Sequence, residues 1–187
     1  RQGSYGRSKY RIRRYGASEV AFLERKLKTR GLVSKRRSIV GIEDLKRLAN
    51  GDLDRDWAGH WYHQRLVARR LKPVCQIAYS RTARVALTSH GPVRLTIDQD
   101  IQAWPVSSLA FDGAKEGARL SEQQAIVEMK YRLEMPLQFK KLIEEFALNP
   151  QPVSKYRQAV VALGFVTEPG PMAPAKGSLD APACLIS

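Results

Sequence analysis

The sequence has few cysteines and no long hydrophobic run, and these absences exclude several classes of protein. Its two cysteines, Cys75 and Cys184, lie far apart and form neither a disulfide framework nor a paired metal-binding motif. No stretch approaches the roughly 18 apolar residues of a membrane span, and no secretory signal pattern opens the chain. We therefore expect a protein of the reducing, cytoplasmic compartment, with no membrane span in this chain.

Acidic residues are also scarce, and their scarcity is confined to one half of the chain. The sequence has 32 Lys and Arg against 18 Asp and Glu, a formal net charge of +14. Residues 1–97 hold 23 basic and 7 acidic side chains, whereas residues 98–187 hold 9 basic and 11 acidic ones. Because such a field attracts polyanions, we expect an anionic partner that contacts mainly the first half.

The hydrophobic pattern predicts a protein of the α+β class that is mostly β-sheet. Alternating residues and turn signals predict strands at 9–15, 20–28, 33–38, 74–85, 93–98 and 125–131. Helical patterns cover residues 41–49, 56–71 and 136–146. We expect one domain over residues 1–166, followed by a disordered Pro/Gly/Ala-rich tail at 167–187, which has too little apolar surface to fold.

Each predicted strand carries charged side chains at alternate positions, so that they share one face. The clear positions, counting one residue after the last strand, hold ten bases and three acids: Lys9, Arg11, Arg13, Lys26, Lys35, Arg37, Arg81, Arg94, Lys130 and Lys155, with Glu24, Asp98 and Glu128. Any single strand also fits an ordinary half-solvated antiparallel sheet. A solvated face normally mixes charge signs more evenly, whereas here bases outnumber acids by ten to three. The pattern favours an antiparallel barrel with a basic lumen and helices packed outside.

A phosphate chain is the ligand that such a lumen predicts. Crowded like charges repel each other, so the arrangement is costly unless an anion fills it. Arg makes forked contacts to phosphate, and Lys supplies a mobile point charge. Nucleic acid is not expected, because the bases alternate with aliphatic rather than stacking aromatic residues.

Two of the three acids on these faces, Glu128 and Glu24, have two interpretations each. Glu128 forms either a buried salt bridge, with Lys130 or a nearby Arg, or a ligand for Mg²⁺ or Mn²⁺, which take one or two carboxylates together with phosphate oxygens. Glu24 either pairs with Lys26 or is a second metal ligand.

Seven short motifs occur in the order and spacing of a known family. They are residues 10–16 (YRIRRYG), 22–26 (FLERK), 34–37 (SKRR), 73–83 (PVCQIAYSRTA), 94–98 (RLTID), 127–130 (VEMK) and 154–156 (SKY). Each motif alone is weak, but the ordered set, which spans about residues 9–157, resembles the VTC domain. That domain belongs to the triphosphate tunnel metalloenzymes, which are related to the CYTH proteins.

The resemblance implies a metal-dependent polyphosphate polymerase, which transfers the γ-phosphoryl group of ATP to a growing polyphosphate chain inside the tunnel. It implies catalytic roles for Arg11, Arg13, Lys26, Lys35, Arg81, Arg94 and Lys130. It implies substrate contacts from Lys9, Arg37, Ser154, Lys155 and Tyr156. The cofactor would be Mn²⁺ or Mg²⁺ at Glu128 and Glu24, and the family allows membrane-associated partner proteins.

The resemblance leaves two questions open. Members of the family usually begin with a helix and two further strands, which are not among these residues, so we expect a barrel without its N-terminal strands. Two other functions fit the same residues: a hydrolase of the same superfamily that cleaves triphosphate or polyphosphate, and a non-catalytic polyphosphate-binding domain.

Overall fold

The computed structural model describes residues 7–111, 117–120 and 124–167. Its elements in chain order are β1 (Arg7–Arg13), β2 (Val20–Thr29), β3 (Leu32–Gly41), a 3-10 helix (Glu43–Ala49), α1 (His60–Ala68), β4 (Cys75–Thr88), β5 (Gly91–Pro105), β6 (Ala118–Arg119), β7 (Ile126–Lys130), α2 (Leu137–Glu145) and α3 (Lys155–Ala162). The described chain divides into two compact units. The first contains residues up to Pro73 and the segment 106–111, and the second contains the rest.

The first unit is a three-stranded antiparallel sheet in the order β1-β2-β3, covered on one face by α1 and the 3-10 helix. The buried residues between them are Ala21, Leu23, Val40, Leu45, Leu48, Trp61, Tyr62 and Leu66. Because successive strand residues point to opposite faces, this apolar packing leaves the other face of the sheet to the charged side chains.

Helix α1 begins four residues later than its sequence pattern predicts. The Trp57 ring packs on Gly59, where an added Cβ would lie 2.5 Å from a ring carbon. The Asp54 carboxylate also accepts a hydrogen bond from the Asp56 N–H, which fixes a turn before the helix. These local contacts hold residues 54–59 outside the helix.

The second unit is a four-stranded antiparallel sheet in which β5 pairs with β4, β6 and β7. Its register shifts between Ala78 and Ser80, and the long β5 strand contains Asp100 at φ +52°. Helix α2 packs Phe139 on Val93 and Met129 of the apolar face. Helix α3 packs against β4, β5 and β6 and buries Ala159 and Val160.

The α+β class, the six predicted strands and the antiparallel pairing are confirmed. The described strands form two open sheets, so the closed barrel and its missing N-terminal strands stay predictions. Sequence patterns missed β6, α3 and the second half of β5. The tail predicted at 167–187 lies, apart from its first residue, outside the described residues. No described helix has both the length and the apolarity to cross a bilayer.

Trp61 joins α1 to the sheet, and its replacement tests this packing. Its indole N–H donates to Ser38 Oγ at 2.8 Å, and the Arg36 guanidinium lies 4.5 Å from the ring centroid. We expect Trp61→Phe to lower the free energy of unfolding by about 1–2 kcal/mol through loss of the hydrogen bond and part of the cation–π contact. Urea denaturation measures this loss. Adding Ser38→Ala to Trp61→Phe should lower the free energy of unfolding only slightly further, because both changes remove the same hydrogen bond. If the losses of the two single variants add in full, the contact is contradicted.

Candidate functional site

Three lysines form a row across the sheet of the first unit. Lys9 of β1 lies opposite Lys26 of β2, which lies opposite Lys35 of β3. Neighbouring strands are about 4.8 Å apart, so three positive side chains follow one another at close spacing on one face. Like charges directly opposite in a sheet are destabilising, so an anion over the row would stabilise it.

The lysine row belongs to a larger charged surface, which we call the basic face. Within the three strands the face has eight bases and one acid, since all these residues share the alternation of the row. They are Arg7, Lys9, Arg11, Arg13, Lys26, Lys28, Lys35, Arg37 and Glu24.

The acid of the basic face is held between two arginines. Arg11, Glu24 and Arg37 lie opposite one another on the three strands. Arg11 Nη2 is 2.6 Å from Glu24 Oε2, and Arg37 Nε is 3.5 Å from Oε1. Arg11 also donates from Nε to Oε2 at 2.8 Å. The carboxylate therefore aligns two guanidinium groups beside the lysine row, and both arginine side chains stay about half exposed.

Two aromatic rings lie at one end of the basic face. Arg13 donates from Nη1 to the Tyr15 hydroxyl at 2.8 Å, and the Arg37 guanidinium lies 3.7 Å from the Phe22 ring centroid. Burial alone would raise the pKa of Tyr15, but its hydrogen bond with Arg13 and the positive charges of Arg13 and Arg37 lower it overall. These contacts restrict the two arginines laterally and keep them over the sheet.

The second unit has its own charged face, which we call the mixed face because both acids and bases lie on it. Arg81 lies opposite Asp98, and Arg94 lies opposite Lys130. Between these pairs, Thr96 lies opposite Glu128, and both are buried. The mixed face therefore holds two buried carboxylates, Asp98 and Glu128, among cationic side chains.

Asp98 is a carboxylate of the mixed face that contacts two cations. Its residue is 1% exposed. Arg81 donates to both of its oxygens, from Nε to Oδ1 at 2.5 Å and from Nη2 to Oδ2 at 2.7 Å. Lys155 Nζ lies 2.6 Å from Oδ2 and forms an ion pair with the carboxylate. The Tyr79 ring lies 5.2 Å from the Arg81 guanidinium carbon and 5.0 Å from Lys155 Nζ. We call Tyr79, Arg81, Asp98 and Lys155 the Asp98 cluster.

The Asp98 cluster makes the stability of the fold depend on pH in the acidic range. Burial alone would raise the pKa of Asp98, but the Arg81 and Lys155 contacts outweigh burial and lower it below its usual 3.8. A carboxyl with a lowered folded-state pKa stabilises the fold above its unfolded-state value, and this contribution is lost as pH falls below about 4. We expect the urea midpoint of the unchanged protein to fall more between pH 6 and pH 3 than that of Asp98→Asn. Equal decreases in both proteins would contradict the assignment.

Glu128 pairs with Lys130, as one of its two sequence interpretations predicted. Its Oε1 lies 2.6 Å from Lys130 Nζ, and the Glu128 residue is 2% exposed. The Lys130 side chain is 41% exposed, so its ammonium group reaches solvent. Within the described parts of the chain, no three His, Cys, Asp or Glu residues lie close enough to bind a metal by protein ligands alone. A metal at Glu128 would therefore take most of its ligands from water and phosphate oxygens, as Mg²⁺ commonly does.

Helix α3 positions the last predicted site residues. Ser154 caps the helix, because its Oγ accepts a hydrogen bond from the Arg157 N–H at 3.4 Å. Lys155, the first residue of the helix, lies in the Asp98 cluster with 10% of its side chain exposed. Tyr156 is half exposed, and burial is the main cause that raises its pKa. The structure thus gives Ser154 and Lys155 structural contacts and leaves Tyr156 accessible.

The structure collects the predicted residues into two groups, one in each unit. The basic face holds Lys9, Arg11, Arg13, Glu24, Lys26, Lys35 and Arg37. The mixed face and the start of α3 hold Arg81, Arg94, Glu128, Lys130, Ser154, Lys155 and Tyr156. Sequence reasoning placed Asp98 on a charged face but gave it no role. The available signal for Asp98 was its spacing: it lies two residues after Thr96 and four after Arg94 in one strand, and therefore on the same face as both.

Comparison with known proteins identifies the family and nothing narrower. Neither the curated proteins nor the solved structures include a significant match. The family model described as the VTC domain matches residues 1–164, which is most of the chain. The resemblance carried by the seven motifs is thereby confirmed, and the chain belongs to the VTC domain family.

Proposed function

We propose that this chain is the catalytic domain of a polyphosphate polymerase, which transfers the γ-phosphoryl group of ATP to the end of a polyphosphate chain. VTC domains are associated with polyphosphate metabolism, which supports the phosphate-chain substrate. In the reaction a terminal phosphate oxygen of the chain forms a bond to the γ-phosphorus. The bond between the γ-phosphorus and the β–γ bridging oxygen breaks, and ADP leaves.

The lysine row is the observation that carries the proposal. Lys9, Lys26 and Lys35 lie opposite one another, and no carboxylate interrupts their row. The only acid of the basic face, within its three strands, lies in the next row and is held by Arg11 and Arg37. A linear polyanion fits such a row better than a compact anion does, because its successive charges meet successive ammonium groups.

The side chains supply what phosphoryl transfer needs, which is alignment and stabilisation of charge on the phosphate oxygens. Arg94 and Lys130 lie opposite each other on the mixed face and are partly exposed, so they are suited to contact nucleotide phosphates. Arg81 retains unused N–H groups beyond its fork to Asp98. Glu128 would hold Mn²⁺ or Mg²⁺, which when bound neutralises phosphate charge. Glu24 is a weaker candidate, since two arginines contact it.

Product analysis tests the proposal against its two alternatives. The full-length protein is incubated with ATP and Mn²⁺, and the products are separated on a polyacrylamide gel and by nucleotide chromatography. A polymerase gives ADP and long polyphosphate chains. Free phosphate without long chains would identify a hydrolase, and polyphosphate binding without ADP formation would identify a non-catalytic binding domain.

Two arginines of the second unit provide a matched pair for the same assay. Arg94 lies on the mixed face, whereas Arg84 is exposed on the opposite face of the same sheet. We expect Arg94→Ala to lower the rate of ADP formation by about 100-fold, because a charged contact to the transferring group is lost. Arg84→Ala should leave the rate within about twofold, since surface changes away from a site have small effects. Equal losses in both variants would contradict the assignment of the mixed face.

A further inference from the structure

We propose that Asp98 is a positioning residue for phosphate binding: it fixes the Arg81 guanidinium, backed by Lys155, in the orientation that accepts a phosphate group. This inference rests on the proposed function, because it concerns how the same site binds its substrate. Asp98 itself carries a negative charge and is buried, so it contacts the two cations and not the substrate.

The contacts of Asp98 come from two further structural elements and use both carboxylate oxygens. Arg81 lies on β4, Asp98 on β5, and Lys155 at the start of α3. The forked contact to Arg81 determines the plane of the guanidinium as well as its position. An ion pair with Lys155 on the same carboxylate attaches the first turn of α3 to this strand pair. Rotation of the Arg81 side chain would therefore break two short hydrogen bonds at a buried site.

The Asp98 cluster keeps the binding capacity of its cations although it contains an acid. A guanidinium has five N–H groups, and the fork to Asp98 uses two of them, so three are left for a ligand. Its two cations outnumber its single carboxylate, so the cluster remains positively charged. The Arg81 side chain is 22% exposed, so part of it is accessible from solvent. Tyr79 lies beside both cations and limits their lateral movement.

A positioning role and a purely electrostatic role predict opposite signs for removal of the carboxylate. If Asp98 only adds negative charge near a phosphate site, its neutralisation should strengthen anion binding. If Asp98 positions Arg81, its neutralisation should weaken binding, because two adjacent and largely buried cations then repel each other and leave their aligned positions. The direction of the change in affinity therefore distinguishes the two roles.

The test is calorimetric titration of tripolyphosphate into the unchanged protein and its variants, each checked for folding by circular dichroism. Asp100 provides the matched control, because it lies two residues away on β5, is exposed, and has a positive φ that Asn also adopts readily. We expect Asp98→Asn to raise the Kd on the order of tenfold and Asp100→Asn to leave it equal or slightly lower. Asp98→Glu, which keeps the charge, should lie between the unchanged protein and Asp98→Asn. Unchanged or tighter binding by folded Asp98→Asn would overturn the proposal.

Two further measurements test the proposal if the Asp98→Asn protein does not fold. Arg81→Lys keeps the charge of Arg81 but removes the fork, and we expect its Kd to rise by a similar factor; an unchanged Kd would overturn the proposal. Acetylation of Lys155 in the unchanged protein, followed by mass spectrometry, needs no ligand. Lys155 should react at least about tenfold more slowly than the exposed Lys140 of α2, because its ammonium group is paired and nearly buried.

The outcomes separate this inference from the proposed function. Absence of tripolyphosphate binding by the unchanged, folded protein would contradict the proposed function and, with it, the role of Asp98 in binding. Binding by the unchanged protein together with equal Kd values for Asp98→Asn and Asp100→Asn would contradict only the positioning role. Lys155 acetylation as fast as that of Lys140 would overturn the inference whatever the protein binds.

Discussion

Replacement of Glu128 by Gln should lower the rate of polyphosphate synthesis by about 100-fold or more while polyphosphate binding is retained. Gln keeps the shape of the side chain but removes the negative charge that would bind Mn²⁺ or Mg²⁺ beside the phosphate groups. Binding should persist because the Lys and Arg contacts remain and one repulsive carboxylate is lost. Initial rates of ADP formation and calorimetric titration with polyphosphate measure the two effects separately.

The Glu128–Lys130 pair gives the competing explanation, which predicts a change in stability instead. Because the Lys130 ammonium reaches solvent, its loss of a partner should cost only about 1 kcal/mol of unfolding free energy. If activity falls only in proportion to the unfolded fraction, and the Mn²⁺ concentration at half-maximal rate stays the same, Glu128 is not a metal ligand. Lys130→Met provides a control for metal affinity only, since it removes the same contact and leaves the carboxylate in place: the Mn²⁺ concentration at half-maximal rate should stay close to that of the unchanged protein, even though the rate itself falls with the loss of a phosphate contact.

Replacement of Arg81 by Met should destabilise the protein by about 3 kcal/mol, because it leaves the buried Asp98 carboxylate without its forked partner. Lys155 still neutralises part of the charge, which keeps the loss below that of a fully isolated ion. The guanidinium pKa of Arg81 is raised further by Asp98, so Arg81 stays charged over the whole working range of pH. Urea denaturation at pH 7 measures the effect.

Arg84 again provides the matched control, because it is an exposed arginine three residues further along β4. Arg84→Met should change the free energy of unfolding by less than about 0.5 kcal/mol. A destabilisation of similar size in both variants would show that general charge loss, and not the Asp98 contact, determines the effect.

The sequence predicted much of the sheet structure because alternation is a local property. Arg11, Glu24 and Lys26 fall on one face of the first sheet for the same reason that Leu23 falls on the other, and both assignments follow from periodicity two. Helix α3 was missed because its residues 155–162 include Tyr156 and two adjacent valines and have no clear apolar stripe. Its position depends on packing against β4 and β5, which no local pattern contains.

Pairing between distant residues was also beyond local patterns. Alternation placed Asp98 on a charged face, but only the strand register brings it opposite Arg81, and only the packing of α3 brings Lys155 to the same oxygen. The pairing of Glu128 with Lys130 was foreseeable because the two residues are two apart in one strand. The choice between a salt bridge and a metal ligand stayed open for Glu128, because the metal is not part of the chain.

The central claim is that the basic face binds a phosphate chain, and a comparison of two triple variants tests it most directly. One variant replaces Lys9, Lys26 and Lys35 of the lysine row by Gln. The other replaces Arg65, Arg69 and Lys72, three exposed bases on and just after α1, by Gln. Both lose three positive charges from the first unit, and α1 covers the face of the sheet opposite the basic face.

The measurement is the Kd for polyphosphate of defined length at fixed ionic strength. We expect the lysine-row variant to bind about 100-fold more weakly than the unchanged protein and the α1 variant to bind within about threefold of it. Without polyphosphate, the lysine-row variant should also melt at a higher temperature, since repulsion within the row is removed. If the two variants lose affinity equally, the chain binds polyphosphate only through its net charge, and the basic face is not its binding site.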